Sequence, residues 1–164
     1  MKTAFLNTPI GNLEITGNDE GIVSIAFTDA TEIVSSDIPN CLKDCVRQLQ
    51  EYFSGQRNTF SLVLQPTGTN FQKKVWNSIQ NIPFGKTTSY KEQSSVLDTT
   101  KAIRAIANAN AKNPLLIVIP CHRIIGSNGE LTGYSGGRYR KKWLLDYESK
   151  NKQYNLFDSN TSIE

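Results

Sequence analysis

Cys121 stands beside His122, the only histidine in the 164-residue chain, directly after Pro120 and the apolar run Leu115–Ile119. A thiol attacks carbon well only as thiolate, and that form needs a nearby base or positive charge. A Cys-His pair after an apolar run therefore has the ingredients of a nucleophile. The same Cys also fits a packed core position, because buried thiols behave as small hydrophobes. Adjacent residues of a strand point to opposite faces, so Cys121 and His122 cooperate only across a turn or through a bridging water. Cys41 and Cys45 lie four apart in a helical pattern. A closed zinc site needs four ligands, and with one His elsewhere the set is incomplete, so both read as structural. Three cysteines, an odd number, argue against a disulfide framework and for a reducing interior.

Other residues suggest nucleic acid. Arg104 and Asn108 lie four apart among small Ala side chains, so they share one face of a helix that could approach a groove closely. An ordinary solvated surface helix carries the same pattern. Tyr90 opens a short helical segment, where an aromatic can contact a phosphate or simply the core. Arg138, Arg140, Lys141 and Lys142 form a basic cluster. It reads either as a phosphate track or as a solvated helical face.

The elements that must position these residues follow from local pattern. Ala4–Leu6, Leu13–Thr16 and Ile22–Phe27 are β-prone and separated by turn chemistry at 8–12 and 17–21, which predicts an antiparallel meander. Leu42, Cys45, Val46, Leu49, Tyr52 and Phe53 recur at helical spacing, with Gly55 as a stop. Phe60, Leu62 and Leu64 alternate and predict one more strand. Pro66–Asn70 is the linker candidate. Beyond it Phe71, Val75, Trp76 and Ile79 form a helical face, and Ile82-Pro83-Phe84-Gly85 breaks it. Ser89 and Glu92 have capping-box spacing, which predicts a helix from Tyr90 to about Leu97. The polar turn Asp98-Thr99-Thr100 and the Ala-rich segment Lys101–Lys112 complete a helix-turn-helix pattern. Leu115–Ile119 reads as a buried strand or extended run, 124–137 as a Gly-rich loop, and Tyr139–Ser149 as a last helix. A polar tail after Lys150 is expected to be loosely attached.

Composition sets the frame. Apolar residues make up 38% of the chain, enough for a core. A net charge of +3 permits DNA as a partner only through local placement of charge. No apolar run has the length of a membrane span, and the first residues lack the apolar core of a secretory leader. The expectation is an intracellular protein, cytoplasmic or nuclear, with no membrane partner.

Taken together, these segments resemble the O6-alkylguanine-DNA alkyltransferases. The resemblance rests on Asn113-Pro114, Ile117-Val118-Ile119-Pro120-Cys121-His122-Arg123, Phe84-Gly85 with Thr88-Ser89-Tyr90, Lys101-Ala102-Ile103-Arg104-Ala105, Gly133-Tyr134-Ser135-Gly136-Gly137 and Trp143-Leu144-Leu145. It covers about Phe71 to Ser149 with compatible spacing throughout. It implies an α/β (α+β) fold with two parts. An N-terminal domain over 1–65 would carry a small antiparallel sheet with a helix, ribonuclease H-like. A C-terminal domain over 66–150 would be mostly helical and winged-helix-like, followed by the tail 151–164.

The resemblance also implies roles. Cys121 would accept the alkyl group from a guanine flipped out of double-stranded DNA, irreversibly and once per molecule, with O4-alkylthymine as a further substrate. His122, through a water, would hold the thiolate, and Glu148 would polarise His122. Asn113 would align their turn. Tyr90 would rotate the 3′ phosphate and donate to the extruded base, and Arg104 would fill the gap it leaves. Tyr134 and Ser135 would wall the guanine pocket, and Lys91, Ala102 and Ser127 would contact DNA. The minor groove would be the docking face, the protein would be a monomer, and neither cofactor nor metal would be required. Gly126, Gly136 and Gly137 suggest room for groups larger than methyl.

The sequence departs from the family pattern in the first helix of the helix-turn-helix, in the turn 97–100, and at Ile103, Asn108 and Asn110. Three other readings compete. A non-catalytic lesion-binding relative would lack the thiol. A cysteine hydrolase using Cys121, His122 and Glu148 leaves Arg104 unexplained. A helix-turn-helix transcription factor would dimerise and gives Cys121 no task.

Overall fold

The computed structural model describes residues 1–30, 36–97 and 103–163, the stretch 153–163 as backbone only. Alternation builds the first element. Strands β1 (Lys2–Thr8), β2 (Gly11–Asn18) and β3 (Gly21–Thr28) pair antiparallel in chain order, as a meander. Ala4 and Leu6 of β1 and Leu13 and Ile15 of β2 face one side at the strand period of two. In β3 the buried residues Ile22 and Ile25 are three apart. A register shift makes this possible, because Ile22 pairs with Gly17 and Ser24 with Thr16, which leaves Val23 as an extra residue. Such a bulge returns both isoleucines to the inner face. Helix α1 (Asn40–Phe53) covers that face with Leu42, Cys45, Val46, Leu49 and Tyr52. Gly55, at φ +82°, ends it as expected, its N–H donating to the Tyr52 carbonyl at 3.2 Å.

The strand expected over Phe60–Leu64 does not form. The segment is extended, but it makes only a single parallel bridge, Leu64 with Ile22. The physical reason lies in α1. The Gln48 side chain takes both backbone groups of Ser61, donating to its carbonyl at 3.0 Å and accepting from its N–H at 2.9 Å. A side chain thus replaces a neighbouring strand.

Helix α2 (Asn70–Ile79) starts at Thr69 with a full capping box: Gln72 N–H donates to Thr69 Oγ1 at 3.0 Å and Thr69 N–H to Gln72 Oε1 at 2.9 Å. The cap is exposed, so Thr69→Ala removes it with little loss of packing. We expect a loss of about 1 kcal/mol in urea unfolding. An unchanged midpoint would mean the cap contributes nothing. Trp76 ties α2 to the Ala-rich segment beyond it, its indole N–H donating to the Ala109 carbonyl at 2.8 Å.

After the two-residue strand β4 (Thr88–Ser89) come helices α3 (Tyr90–Leu97) and α4 (Ile103–Ala111), packed on each other. The Ser89–Glu92 capping box forms, with contacts of 3.0 and 3.3 Å. The turn expected at 98–100 and the first residues of the second helix, Lys101 and Ala102, lie outside the described residues. Asn110, unusual as a buried polar residue, is answered by Gln93: each amide donates to the other, at 2.7 and 3.1 Å. Mutual satisfaction makes a buried amide pair tolerable.

Leu115–Ile119 departs from the expected strand after its first residue. Leu115 bridges Ile25, and then the chain coils tightly, with Ile119 N–H donating to the Leu115 carbonyl at 2.9 Å and Ile117 at φ +73°. A positive φ is costly for a β-branched residue and persists only where surroundings over-determine it. Here Asn113 brackets the coil, accepting from Leu115 N–H at 2.9 Å and donating to the Ile119 carbonyl at 2.8 Å. A 3-10 turn, Cys121–Arg123, follows, then β5 (Ile124–Ile125), parallel to β4. The last helix, α5, runs from Arg138 to Ile163. The polar tail expected after Lys150 has a helical backbone through Ile163. The helix continues without a break, and Asn151 still donates to the Tyr147 carbonyl at 2.9 Å while Lys152 lies against Gly85.

Candidate active site

The 3-10 turn resolves the problem posed by adjacent functional residues. It replaces the alternating directions of a strand with three buried side chains, Cys121, His122 and Arg123, on one tight bend. Asn113 Nδ2 reaches the sulfur itself, 3.2 Å from Cys121 Sγ. Its role is thus wider than bracing the backbone, since a donor at sulfur favours the thiolate.

Glu148, carried on α5, meets the bend. His122 Nε2 lies 2.8 Å from Glu148 Oε2. Arg123 donates through Nε to Oε1 at 2.8 Å and through Nη2 to Oε2 at 2.9 Å, and its Nη1 is anchored on the Ile82 carbonyl at 2.7 Å. Tyr52 Oη donates to Oε2 at 2.7 Å. Burial by itself would raise the Glu148 carboxyl, but His122 and Arg123 outweigh it and hold the group well below the usual carboxylate range. Glu148 is therefore an anion that can only accept. The proton shared with it must sit on His122 Nε2, which leaves Nδ1 as the free base of the ring. That atom is buried and meets no hydrogen-bond partner among the described residues. Burial also lowers the His122 pKa, against the opposing pull of the Glu148 carboxylate.

Burial pushes the Cys121 thiol up to about 11, against the opposing effects of the Asn113 hydrogen bond and the Lys141 charge. Lys141 corrects the basic-cluster reading. It is neither a solvated nor a phosphate-facing group but buried, with Nζ donating to the Thr132 carbonyl at 2.8 Å and lying 5.9 Å from the Tyr90 ring centre. Burial pulls its pKa down to about 8, while Cys121 raises it. Arg140 instead staples α5 to the first hairpin, donating to the Ile10 carbonyl at 2.7 Å and stacking 4.2 Å over Phe27. Lys142 pairs with Asp146 on the surface. Helical spacing sends the three in different directions.

Around this centre, Tyr90 is buried and donates to the Thr132 carbonyl at 3.1 Å. Tyr134 stands edge-on to His122 with ring centres 6.4 Å apart, and its buried hydroxyl meets no partner among the described residues. Gly136 does not provide the expected room: a Cβ there would lie 2.6 Å from the Tyr134 ring, so the glycine lets Tyr134 close onto the backbone. Ser135 and Ser127, on the loop, and Lys91 and Arg104, on α3 and α4, are exposed. Ala102 lies outside the described residues. Reading the sequence missed Arg123, Lys141 and Tyr52. Arg123 stands inside the motif around Cys121 and Lys141 inside the basic cluster, and only burial of their charge gives them away. Cys45 is packed in the inward face of α1, where burial raises its thiol to about 12. No helix among the described residues is long and apolar enough to cross a membrane.

A polarised thiol site beside a packed pair of short helices defines a cysteine-dependent transferase joined to a nucleic-acid-binding unit. Residues 1–66 match the ribonuclease-like domain of 6-O-methylguanine DNA methyltransferase, and residues 70–150 match its DNA-binding domain. A methylated-DNA–protein-cysteine methyltransferase of Methanosarcina barkeri is 42% identical over 151 residues, covering 89% of this chain and 96% of that protein. A crystal structure of Mycobacterium tuberculosis O6-methylguanine methyltransferase superposes with a TM-score of 0.81 at 36% identity, covering 91% and 93% of the two chains. M. tuberculosis OGT in complex with DNA superposes at 0.80 and 36%, covering 90% and 92%. The chain belongs to the methylated-DNA–protein-cysteine methyltransferase family. The small antiparallel sheet and the helical DNA-binding part are those of that family's fold.

Proposed function

We propose that this protein repairs O6-alkylated guanine in double-stranded DNA by moving the alkyl group irreversibly to Cys121, once per molecule. The observation that carries the reading is the Asn113–Cys121 contact beside His122, whose Nε2 is held by the Glu148 carboxylate and whose Nδ1 meets no partner among the described residues. Sulfur attacks the alkyl carbon as the carbon–O6 bond breaks. The thiol proton passes to His122 Nδ1 through a bridging water, and the departing guanine takes a proton from the Tyr90 hydroxyl. The thioether is stable to every group in the site, so turnover stops there. The displacement consumes only thiol and lesion, so it requires no cofactor.

The lesion lies inside the base stack, so a thiolate reaches it only after the nucleotide is turned out. In this reading α3 and α4 enter the minor groove, Arg104 fills the vacancy, and Tyr90 turns the 3′ phosphate. Lys91, Ala102 and Ser127 contact the backbone, and Tyr134 and Ser135 wall the base. Lys141 supplies positive charge toward the nascent thiolate. O4-alkylthymine presents the same alkyl–oxygen bond and is a second substrate. The work is divided between residues 1–65 and 66–150 of an intracellular monomer in a reducing compartment.

The test is a single-turnover reaction with a duplex carrying O6-methylguanine, followed by intact mass. One methyl gained per chain, with matching loss of lesion, is the expected result. Lesion binding without methyl gain would sink the proposal in favour of damage recognition alone. Arg104→Ala should slow the duplex reaction by on the order of 10²-fold while barely changing reaction with the free base O6-benzylguanine. Equal slowing of both would remove Arg104 from its role.

A further inference from the structure

Tyr52 belongs to α1, in the half of the chain that carries no sequence motif for the chemistry. It is fully buried, and its hydroxyl ends 2.7 Å from Glu148 Oε2, the oxygen that also receives His122 Nε2. The contact spans 96 residues of sequence. The ring cannot drift. Phe53, Phe60, Phe84 and Tyr147 surround it, with ring centres 5.1 to 6.0 Å away, and Tyr147 Oη donates to its backbone carbonyl. A phenylalanine would fill the same aromatic box. What tyrosine adds is a donor aimed at one carboxylate oxygen.

We propose that Tyr52 is a positioning residue for the alkyl-transfer site: its hydroxyl fixes the Glu148 carboxylate so that His122 keeps its proton on Nε2 and leaves Nδ1 free to take the proton of Cys121. This rests on the function proposed above. A carboxylate that accepts a hydrogen bond from Tyr52 gives up part of its proton affinity and pulls less on the His122 N–H. Tyr52 thereby tempers the relay while holding it in place. Burial and the adjacent carboxylate push the Tyr52 hydroxyl well above its ordinary pKa, so it stays a donor. Among the described residues, Glu148 and Lys141 from α5 and Arg123 from its own turn act on the ring, Tyr134 stands edge-on to it from the loop, and Tyr52 acts from α1 through Glu148. Of these, Tyr52 is the one supplied by the N-terminal half.

His122 is the only histidine, so 15N-histidine labelling of the full chain gives its two ring nitrogens without ambiguity. The wild-type protein should show the Nε2–H tautomer at neutral pH. Tyr52→Phe should raise the His122 pKa by on the order of half a unit and slow single-turnover methyl transfer by about tenfold, with duplex affinity unchanged. Placing 3-fluorotyrosine at position 52, a stronger donor in the same box, should move the His122 pKa the opposite way. A merely structural tyrosine would not produce opposite shifts. Normal methyl transfer with His122 unmoved in both variants would overturn the Tyr52 inference alone. Opposite shifts with no methyl transfer by the wild type would sink the proposed function and leave the Tyr52–His122 linkage standing.

Discussion

Cys121→Ser should lose alkyl uptake by a factor on the order of 10⁴ or more, while still binding a duplex that carries O6-methylguanine. The change is one buried atom. Asn113 can donate to oxygen as it does to sulfur, so the bend should keep its shape and the protein its stability. The chemistry does not survive. Burial already lifts the thiol to about 11, and an aliphatic hydroxyl starts far above a thiol and is a poorer nucleophile toward saturated carbon. Intact mass after incubation decides the matter. Methyl gain persisting in Cys121→Ser would place the acceptor on another cysteine, although Cys45 is packed in the core and pushed up to about 12.

Glu148→Ala should cost about 3–5 kcal/mol in chemical unfolding and abolish transfer as well. The carboxylate receives Arg123 twice, His122 and Tyr52, all buried. Removing it strands a guanidinium, an imidazole N–H and a phenol in a low-dielectric site, and each then bears its desolvation penalty unanswered. Because stranded Arg123 is the largest part of that penalty, Glu148→Leu with Arg123→Met should recover much of the stability but none of the activity. The pH dependence carries a sign. Glu148 titrates lower in the folded chain than in the unfolded one, where its value is ~4.3. Unfolding therefore takes up a proton below that value, and Glu148 contributes stability above it that is lost as the solution becomes more acidic. Glu148→Gln should flatten that part of the acid limb. A variant as stable as the wild type would mean the network is spectator to the fold.

Local pattern made the meander, α1, α2 and the Ser89–Glu92 start of α3 legible, because each depends on residues within one or two turns of one another. Cys121 and His122 were legible as a pair from their residue types after an apolar run, and Asn113 and Glu148 through the resemblance; the structure joins Asn113 to Cys121 and Glu148 to His122. Phe60–Leu64 and Leu115–Ile119 carry strand-like patterns and form no strand. Alternation and apolar runs report burial, but whether a strand forms depends on who takes the backbone groups, and here Gln48 and Asn113 take them. Ile117 at positive φ has no local signal at all.

By itself the sequence determined which side chains were available and which local elements would carry them: a single thiol–imidazole pair after an apolar run, an Ala-rich helix exposing Arg104, and the Ser89–Glu92 cap at the start of α3. The tertiary structure alone decided that Lys141 turns inward while Arg140 and Lys142 do not, that Arg123 clamps Glu148, and that Tyr52 reaches the same carboxylate across 96 residues. Burial and partnership are properties of the packed core. A charge or hydroxyl acquires its chemical role only once water is excluded and one particular partner is left to answer it.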